Sequence, residues 1–487
     1  MTAAAFLAPE RLLAGGPRRF NLAVERLLLH LGFDDIRLID GAGDGGGDIL
    51  AHRGDESFVF QSKWTTGAQI GREAVDEVER ARTRYAMIRA VVVTNALPDA
   101  TAQRRAETLA SIGARVEFWT GAHLRRLSEA IPERCPREFV PRRYQEEAIL
   151  ALERDLDRRN RALLVLATGL GKTVIGGEVV RKHLLKHPHD RVLVVAAMKD
   201  LVAQLEIALW RHLPKTVSTQ VLTGDQKPTS LDGVTFATVE SADGAVFEGY
   251  RPALVMVDET HHVAEEGFFT RLLQACEQIP RFGLTATPWR GDRFDISTHF
   301  GEPSYRMGIA EGMARGYLAQ VDYRVFVDNI DWETVRSASR EGYTLRELNS
   351  RLFLPQRDEA ILDLLWEAWT KTVQPRAILF CKTIKHAEAI AEAVSRYSPS
   401  WANATCLHAD MTKREREVAL SAFRSGRVPV LTAVDILNEG VDVPDVNIIA
   451  FLRVTHSRRI FVRVFSAAMR AGCGRGLTGS SAVGVAG

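Results

Sequence analysis

Residues 163–177, LLVLATGLGKTVIGG, constrain the fold of this chain more than any other stretch. The apolar run from Leu163 to Leu166 reads as a parallel strand buried on both faces. It breaks at Thr168-Gly169-Leu170-Gly171-Lys172-Thr173, and an apolar, helix-compatible segment follows. Strand, glycine loop and helix together aim backbone N–H groups and a helix N-terminus at phosphate oxygens. Gly169 and Gly171 let the backbone come close, Lys172 reaches the β- and γ-phosphates, and Thr173 holds Mg²⁺. The general pattern G-x-x-x-x-G-K-[ST] is not met, because Leu166 stands where its first glycine belongs. The stretch is a nucleoside triphosphate site.

At 487 residues the chain is too long for one core, so two to four domains are expected. The longest apolar runs, such as 192–198, are far too short to span a bilayer, and the N-terminus lacks a signal-peptide pattern. The expectation is no membrane and a cytoplasmic setting. The five cysteines are scattered with no C-x-x-C, which argues against a disulfide framework or a zinc site and fits a reducing compartment. With 63 basic and 61 acidic residues, overall charge says nothing about nucleic acid, and any such binding must come from local patches.

The first block, 1–127, alternates strands with helices and reads as a small α/β domain. Residues 20–31 have helical periodicity, and 36–39, 48–52 and 57–63 read as strands around the glycine loop 41–47. Its chemistry lies in Gly43-Asp44-Gly45-Gly46-Gly47-Asp48 and Gln61-Ser62-Lys63. Asp48 opens one strand and Lys63 ends its neighbour, so hairpin pairing is expected to bring their side chains together. Gln61 and Lys63, two apart, face the same side. A carboxylate with a nearby lysine can hold Mg²⁺ and activate water against a phosphodiester. This block resembles the Mrr-like restriction endonuclease domain of the PD-(D/E)xK fold, which has G-D-G-G-x-D followed by Q-x-K. The resemblance implies that Asp48 binds metal, Gln61 takes the usual acidic position and Lys63 is catalytic. Where the family usually carries Glu, after the aromatic that Phe20 matches, this chain has Asn21, with Glu25 one turn later on the helix.

Residues 128–141, charged and punctuated by Pro132, Pro136 and Pro141, read as a linker. The second block, 142–318, begins with Arg142-Arg143-Tyr144-Gln145. Its strand 254–257 ends in Asp258-Glu259-Thr260-His261-His262, placing Asp258 to hold Mg²⁺ and Glu259 to orient and deprotonate the attacking water. The adjacent histidines lack the i, i+4 spacing of a zinc helix. Gly283-Leu284-Thr285-Ala286-Thr287-Pro288 follows. Residues 319–370 read as a helical connector, in which Trp366 and Trp369 are core residues. The third block, 371–471, carries a buried strand at 376–381 and the run Asp435-Ile436-Leu437-Asn438-Glu439-Gly440-Val441-Asp442-Val443-Pro444. Residues 472–487, mostly small, read as a disordered tail.

From Pro141 onward the chain resembles a superfamily 2 helicase, of the branch that includes type I and type III restriction motor subunits. The variant T-G-x-G-K-T, the D-E-x-H form and the T-A-T-P segment carry that resemblance, along with a motif V match at 435–444. It implies two RecA-like α/β lobes with ATP and Mg²⁺ between them, and Gln145 reading the adenine edge. It also implies that residues of motif V, Asp442 among them, contact ATP and the nucleic-acid backbone. The family's last motif, Q-x-x-G-R-x-x-R, supplies arginine to the γ-phosphate. Here it reads Arg463-Val464-Phe465-Ser466-Ala467-Ala468-Met469-Arg470, so Arg470 alone of its arginines remains. The whole is then an ATP-dependent DNA motor behind a Mg²⁺-dependent nuclease, with DNA and partner subunits as its partners. Asn21 leaves room for a repair helicase whose nuclease domain only binds DNA, and the altered last motif for a protein that holds ATP with poor turnover.

Overall fold

The computed structural model describes residues 2–39, 48–136, 140–260, 263, 266–286, 295–318, 321–326, 355–434, 446–452 and 481–486. Two compact units emerge: Met1–Val165 with Lys172–Arg306, and Leu166–Gly171 with Met307–Gly487. The first block and the first motor lobe therefore belong to one unit.

Within that unit the first sheet runs in the order β1 (Asp34–Leu38), β2 (Ile49–Arg53), β3 (Glu56–Lys63), β5 (Arg89–Thr94), β7 (Val116–Trp119). The first three strands pair antiparallel and the last three parallel. The short strands β4 (Gln69–Ile70) and β6 (Leu97–Pro98) pair separately. Side chains alternate between the two faces, and each face meets its own helices. Phe58, Phe60, Val91 and Val93 share a core with Phe20, Leu27 and Leu28 of α2 (Gly16–His30), which follows α1 (Pro9–Ala14). Val59, Ala90 and Val92 pack against Ala74, Val78 and Ala81 of α3 (Arg72–Arg84). Helix α4 (Ala100–Ser111) begins at an N-cap, Asp99, whose carboxylate accepts from the Thr101 and Ala102 amides. Helix α5 (Gly121–Ala130) closes the block.

The motor lobe of the same unit is a seven-stranded sheet in the order β10 (Thr219–Leu222), β11 (Val234–Thr238), β9 (Val192–Ala196), β12 (Leu254–Val257), β13 (Arg281–Thr285), β8 (Arg161–Leu166), β14 (Tyr305–Met307). The pairs from β10 through to β8 are parallel. That is why β9, β11 and β12 are buried along their whole length, and β9 and β12 read as continuous apolar runs. Its helices are α6 (Arg143–Arg159), α7 (Lys172–Lys186), α8 (Lys199–Trp210), α9 (Val239–Phe247), α10 (Phe268–Ala275) and α11 (Ser297–Phe300).

The described residues 128–136 of the stretch read as a linker are packed rather than loose. The Lys215 ammonium donates to the carbonyls of Ser128, Glu129 and Ile131 at 3.1, 3.0 and 2.8 Å, capping the end of α5. Ile131 and Cys135 are buried. From α2, Arg19 Nη1 donates to both carboxylate oxygens of Glu206 of α8, at 3.0 and 2.9 Å, and the buried Arg26 donates to the Pro214 carbonyl at 3.0 Å.

The second unit holds α12 (Ile309–Ala314), α13 (Pro355–Lys371), α14 (Ile384–Tyr397) and α15 (Lys413–Arg424). Its sheet runs β15 (Val321–Phe326), β20 (Ser481–Ala486), β19 (Ile448–Phe451), β16 (Ala377–Phe380), β18 (Val430–Ala433), β17 (Thr405–Leu407), all pairs parallel. Residues 481–486, expected to be disordered, instead form β20, hydrogen-bonded on both sides by β15 and β19. The sequence hides this because six small residues carry little apolar signal, while backbone pairing on two edges orders them. Trp366 and Trp369 stand edge-on to the fully buried Trp401, at 5.1 and 5.4 Å between ring centroids, in the core role expected of them. Most of the connector, 327–354, lies outside the described residues.

Candidate active sites

The nucleotide site is built on the carboxyl ends of parallel strands, where open α/β sheets place their ligands. After β8 the chain turns through Gly169 and Gly171, at φ +91° and +84°, a region that favours glycine. Thr168 lies in the same turn. Helix α7 begins at Lys172, so its first amides, with Thr173 in the first turn, open onto this loop. Lys172 is largely buried, and its ammonium lies 3.8 Å from a Glu259 carboxylate oxygen. Glu259 follows β12 with φ +49°, a left-handed conformation in a non-glycine residue and hence a strained one.

Asp258, at the end of β12, is 9% exposed, and its carboxyl is pushed up to about 7, first by burial and then by the neighbouring Glu259 charge, with Lys172 opposing. Its Oδ1 is buried without a hydrogen-bond partner among the described residues, so the group fits a cation. Gln145 is buried on α6, and its side-chain oxygen accepts from the Arg142 amide at 2.9 Å. Thr285 ends β13 in full burial. His261, His262, Thr287, Pro288, Asp442, Ala467 and Arg470 lie outside the described residues. Among the described residues no cluster of three or more His, Cys, Asp or Glu is arranged for a metal.

The second site lies in the first sheet. The Asp48 amide donates to the Phe60 carbonyl at 2.9 Å, extending the β2–β3 hairpin by one residue and setting Asp48 across from Gln61. Asp48 Oδ2 accepts from Gln61 Nε2 at 2.9 Å and from the Ser62 amide at 2.6 Å. Register puts Gln61 opposite Asp48, and Lys63 pairs with Glu77 of α3. Gln61 and Lys63 do share a face, the former 4% exposed and the latter about a third. Gln61 Oε1 is buried with no partner among the described residues, an acceptor that a cation would satisfy.

Glu25 of α2 is buried, and burial first, then the like charge of Glu206, pushes its carboxyl up to about 7. Glu77 is the residue that sequence reasoning missed. It belongs to an amphipathic helix whose charges look like a solvated face, and no motif marks it.

Three family profiles match the chain. One described as "Restriction endonuclease" covers residues 12–128, one as "Type III restriction enzyme, res subunit" covers 138–290, and one as "Helicase conserved C-terminal domain" covers 356–472. A candidate mitochondrial ATP-dependent helicase of Schizosaccharomyces pombe is 26% identical over 321 residues, 63% of this chain and 51% of the relative. The Escherichia coli type I restriction enzyme EcoAI endonuclease subunit is 26% identical over 283 residues, 53% of this chain and 34% of that protein. Among solved structures, the ATP-dependent type ISP restriction-modification enzyme LlaBIII bound to DNA aligns with 98% of this chain and 37% of its own, at TM-score 0.54 and 16% identity. The chain spans about half the length of the first of these relatives and about a third of the second. The chain thus carries an N-terminal segment that matches a restriction endonuclease domain, followed by segments that match the res subunit of type III restriction enzymes and the conserved C-terminal domain of helicases.

Proposed function

We propose that the chain is an ATP-dependent DNA translocase joined to a Mg²⁺-dependent DNA endonuclease, acting in restriction or DNA processing. The cluster of Lys172, Asp258 and Glu259 beyond β8 and β12, with the orphaned Asp258 oxygen, carries the motor half of this reading. Lys172 neutralises the β- and γ-phosphates, Thr173 and Asp258 hold the metal, and Gln145 reads the adenine. Glu259, held on a strained backbone, takes the proton from the attacking water. Magnesium, when bound, neutralises charge on the phosphate oxygens. Backbone contacts dominate DNA binding, as suits a motor that steps along any sequence.

Asp48 and the Gln61 oxygen hold the nuclease metal, and Lys63 supplies positive charge to the scissile phosphate. The restriction endonuclease profile favours DNA over RNA, and a relative named as an endonuclease subunit supports partner subunits. The test is Mg²⁺-dependent cleavage of DNA by the parent and by Asp48→Ala. The parent should cut, while Asp48→Ala should not cut and should keep its ATP hydrolysis. Equal cutting by both proteins contradicts the nuclease assignment.

A further inference from the structure

The proposed nuclease centre is short of acid. Asp48 offers a carboxylate and Gln61 an amide, whereas hard divalent cations draw chiefly on carboxylate oxygens. Helix α2 offers Asn21, and this helix packs on the face of the sheet that carries Phe58 and Phe60.

Strand parity shows which helix faces the centre instead. Phe58 and Phe60 of β3 join the core built on α2, while Val59 joins the core built on α3. Gln61 and Lys63 keep step with Val59 and so face α3. On β2, Ile49 belongs to the α2 core and Leu50 packs on the α3 core, which turns Asp48 toward α3 as well. Glu77 stands on α3 beside the sheet-facing Ala74 and Val78, and its carboxylate meets the Lys63 ammonium. The 96%-buried Gln61 has its amide nitrogen on Asp48 and its oxygen unpartnered among the described residues, so the same face also holds an acceptor in want of positive charge.

We propose that Glu77 supplies the second carboxylate toward the divalent cation of this centre, alongside Asp48 and the Gln61 oxygen. The inference rests on the nuclease reading above. The Lys63 ammonium pairs with Glu77, so a cation bound there competes with it for the same carboxylate.

The test is Mn²⁺ binding to the nucleotide-free full chain, measured by calorimetry on the parent, Asp48→Ala, Glu77→Gln, Lys63→Met and Glu25→Gln. Asp48→Ala should lose a site that the parent has. Glu77→Gln should weaken that site by about tenfold or more. Lys63→Met should tighten it severalfold, because the competing ammonium is gone, and this variant keeps the proposal testable if Glu77→Gln unfolds. Glu25→Gln should bind like the parent. Parental affinity in a folded Glu77→Gln, or in Lys63→Met, overturns the role of Glu77 while the loss in Asp48→Ala leaves the nuclease reading standing. Parental binding by Asp48→Ala overturns the nuclease reading itself.

Discussion

A glutamate in a left-handed conformation beside a buried lysine is a strained local arrangement, and Glu259 is the residue proposed to activate the attacking water. Glu259→Gln preserves shape and removes the base. It should keep ATP binding and lower turnover by about 10²–10⁴-fold, which equilibrium binding and steady-state hydrolysis measure separately. Glu25 gives a residue-scale prediction of a different kind. Its carboxyl titrates near 7 in the folded chain against an ordinary 4.5. Between those values the folded state holds a proton that the unfolded state has released, so this group's contribution to stability is lost as pH rises through that window. Glu25→Gln should therefore raise the unfolding temperature at pH 8 and leave it near the parental value at pH 4, by thermal denaturation at the two pH values. What the sequence shows at this scale is the motif residues, since their spacing encodes contact with phosphate. It does not show Glu77 or Glu206, because a lone charge on an amphipathic helix looks the same whether it meets water, an ammonium or another domain.

Helix α7 shows how an element carries both packing and function. Its first turn presents Lys172 and Thr173 to the phosphate loop, and one turn later Gly176 and Gly177 let the helix lie close to its neighbours. A Cβ on Gly176 would come within 2.9 Å of Met256 and Leu284, and one on Gly177 within 2.7 Å of the His212 ring. The Nδ1 of that ring donates at 2.8 Å to Glu178, whose carboxylate also accepts from Arg181. Gly177→Ala should cost about 1–3 kcal/mol through overpacking, seen as a lower midpoint in chemical denaturation. The parallel strands were legible as elements because burial on both faces leaves continuous apolar runs. Strand β20 was not, since what places it is backbone pairing with β15 and β19, which no pattern in its own sequence announces.

At the scale of the molecule, the first block and the first motor lobe share one compact unit, joined by Arg19–Glu206, Arg26–Pro214 and the Lys215 cap. The proline-rich stretch between them suggests a tether, yet its residues are tied to the lobe, because prolines mark turns without saying whether the turns are packed. Glu206→Ala removes a charged hydrogen-bonded pair and should cost about 1.5–3 kcal/mol. In calorimetry the parent's block and lobe should unfold together, and the variant's should begin to separate.

The central claim, an ATP-driven motor on DNA, is tested most directly by steady-state ATP hydrolysis of the full chain alone and with single-stranded DNA, double-stranded DNA or RNA. The account predicts stimulation by DNA that Lys172→Ala abolishes. A rate that no DNA changes, or that persists in Lys172→Ala, would contradict it.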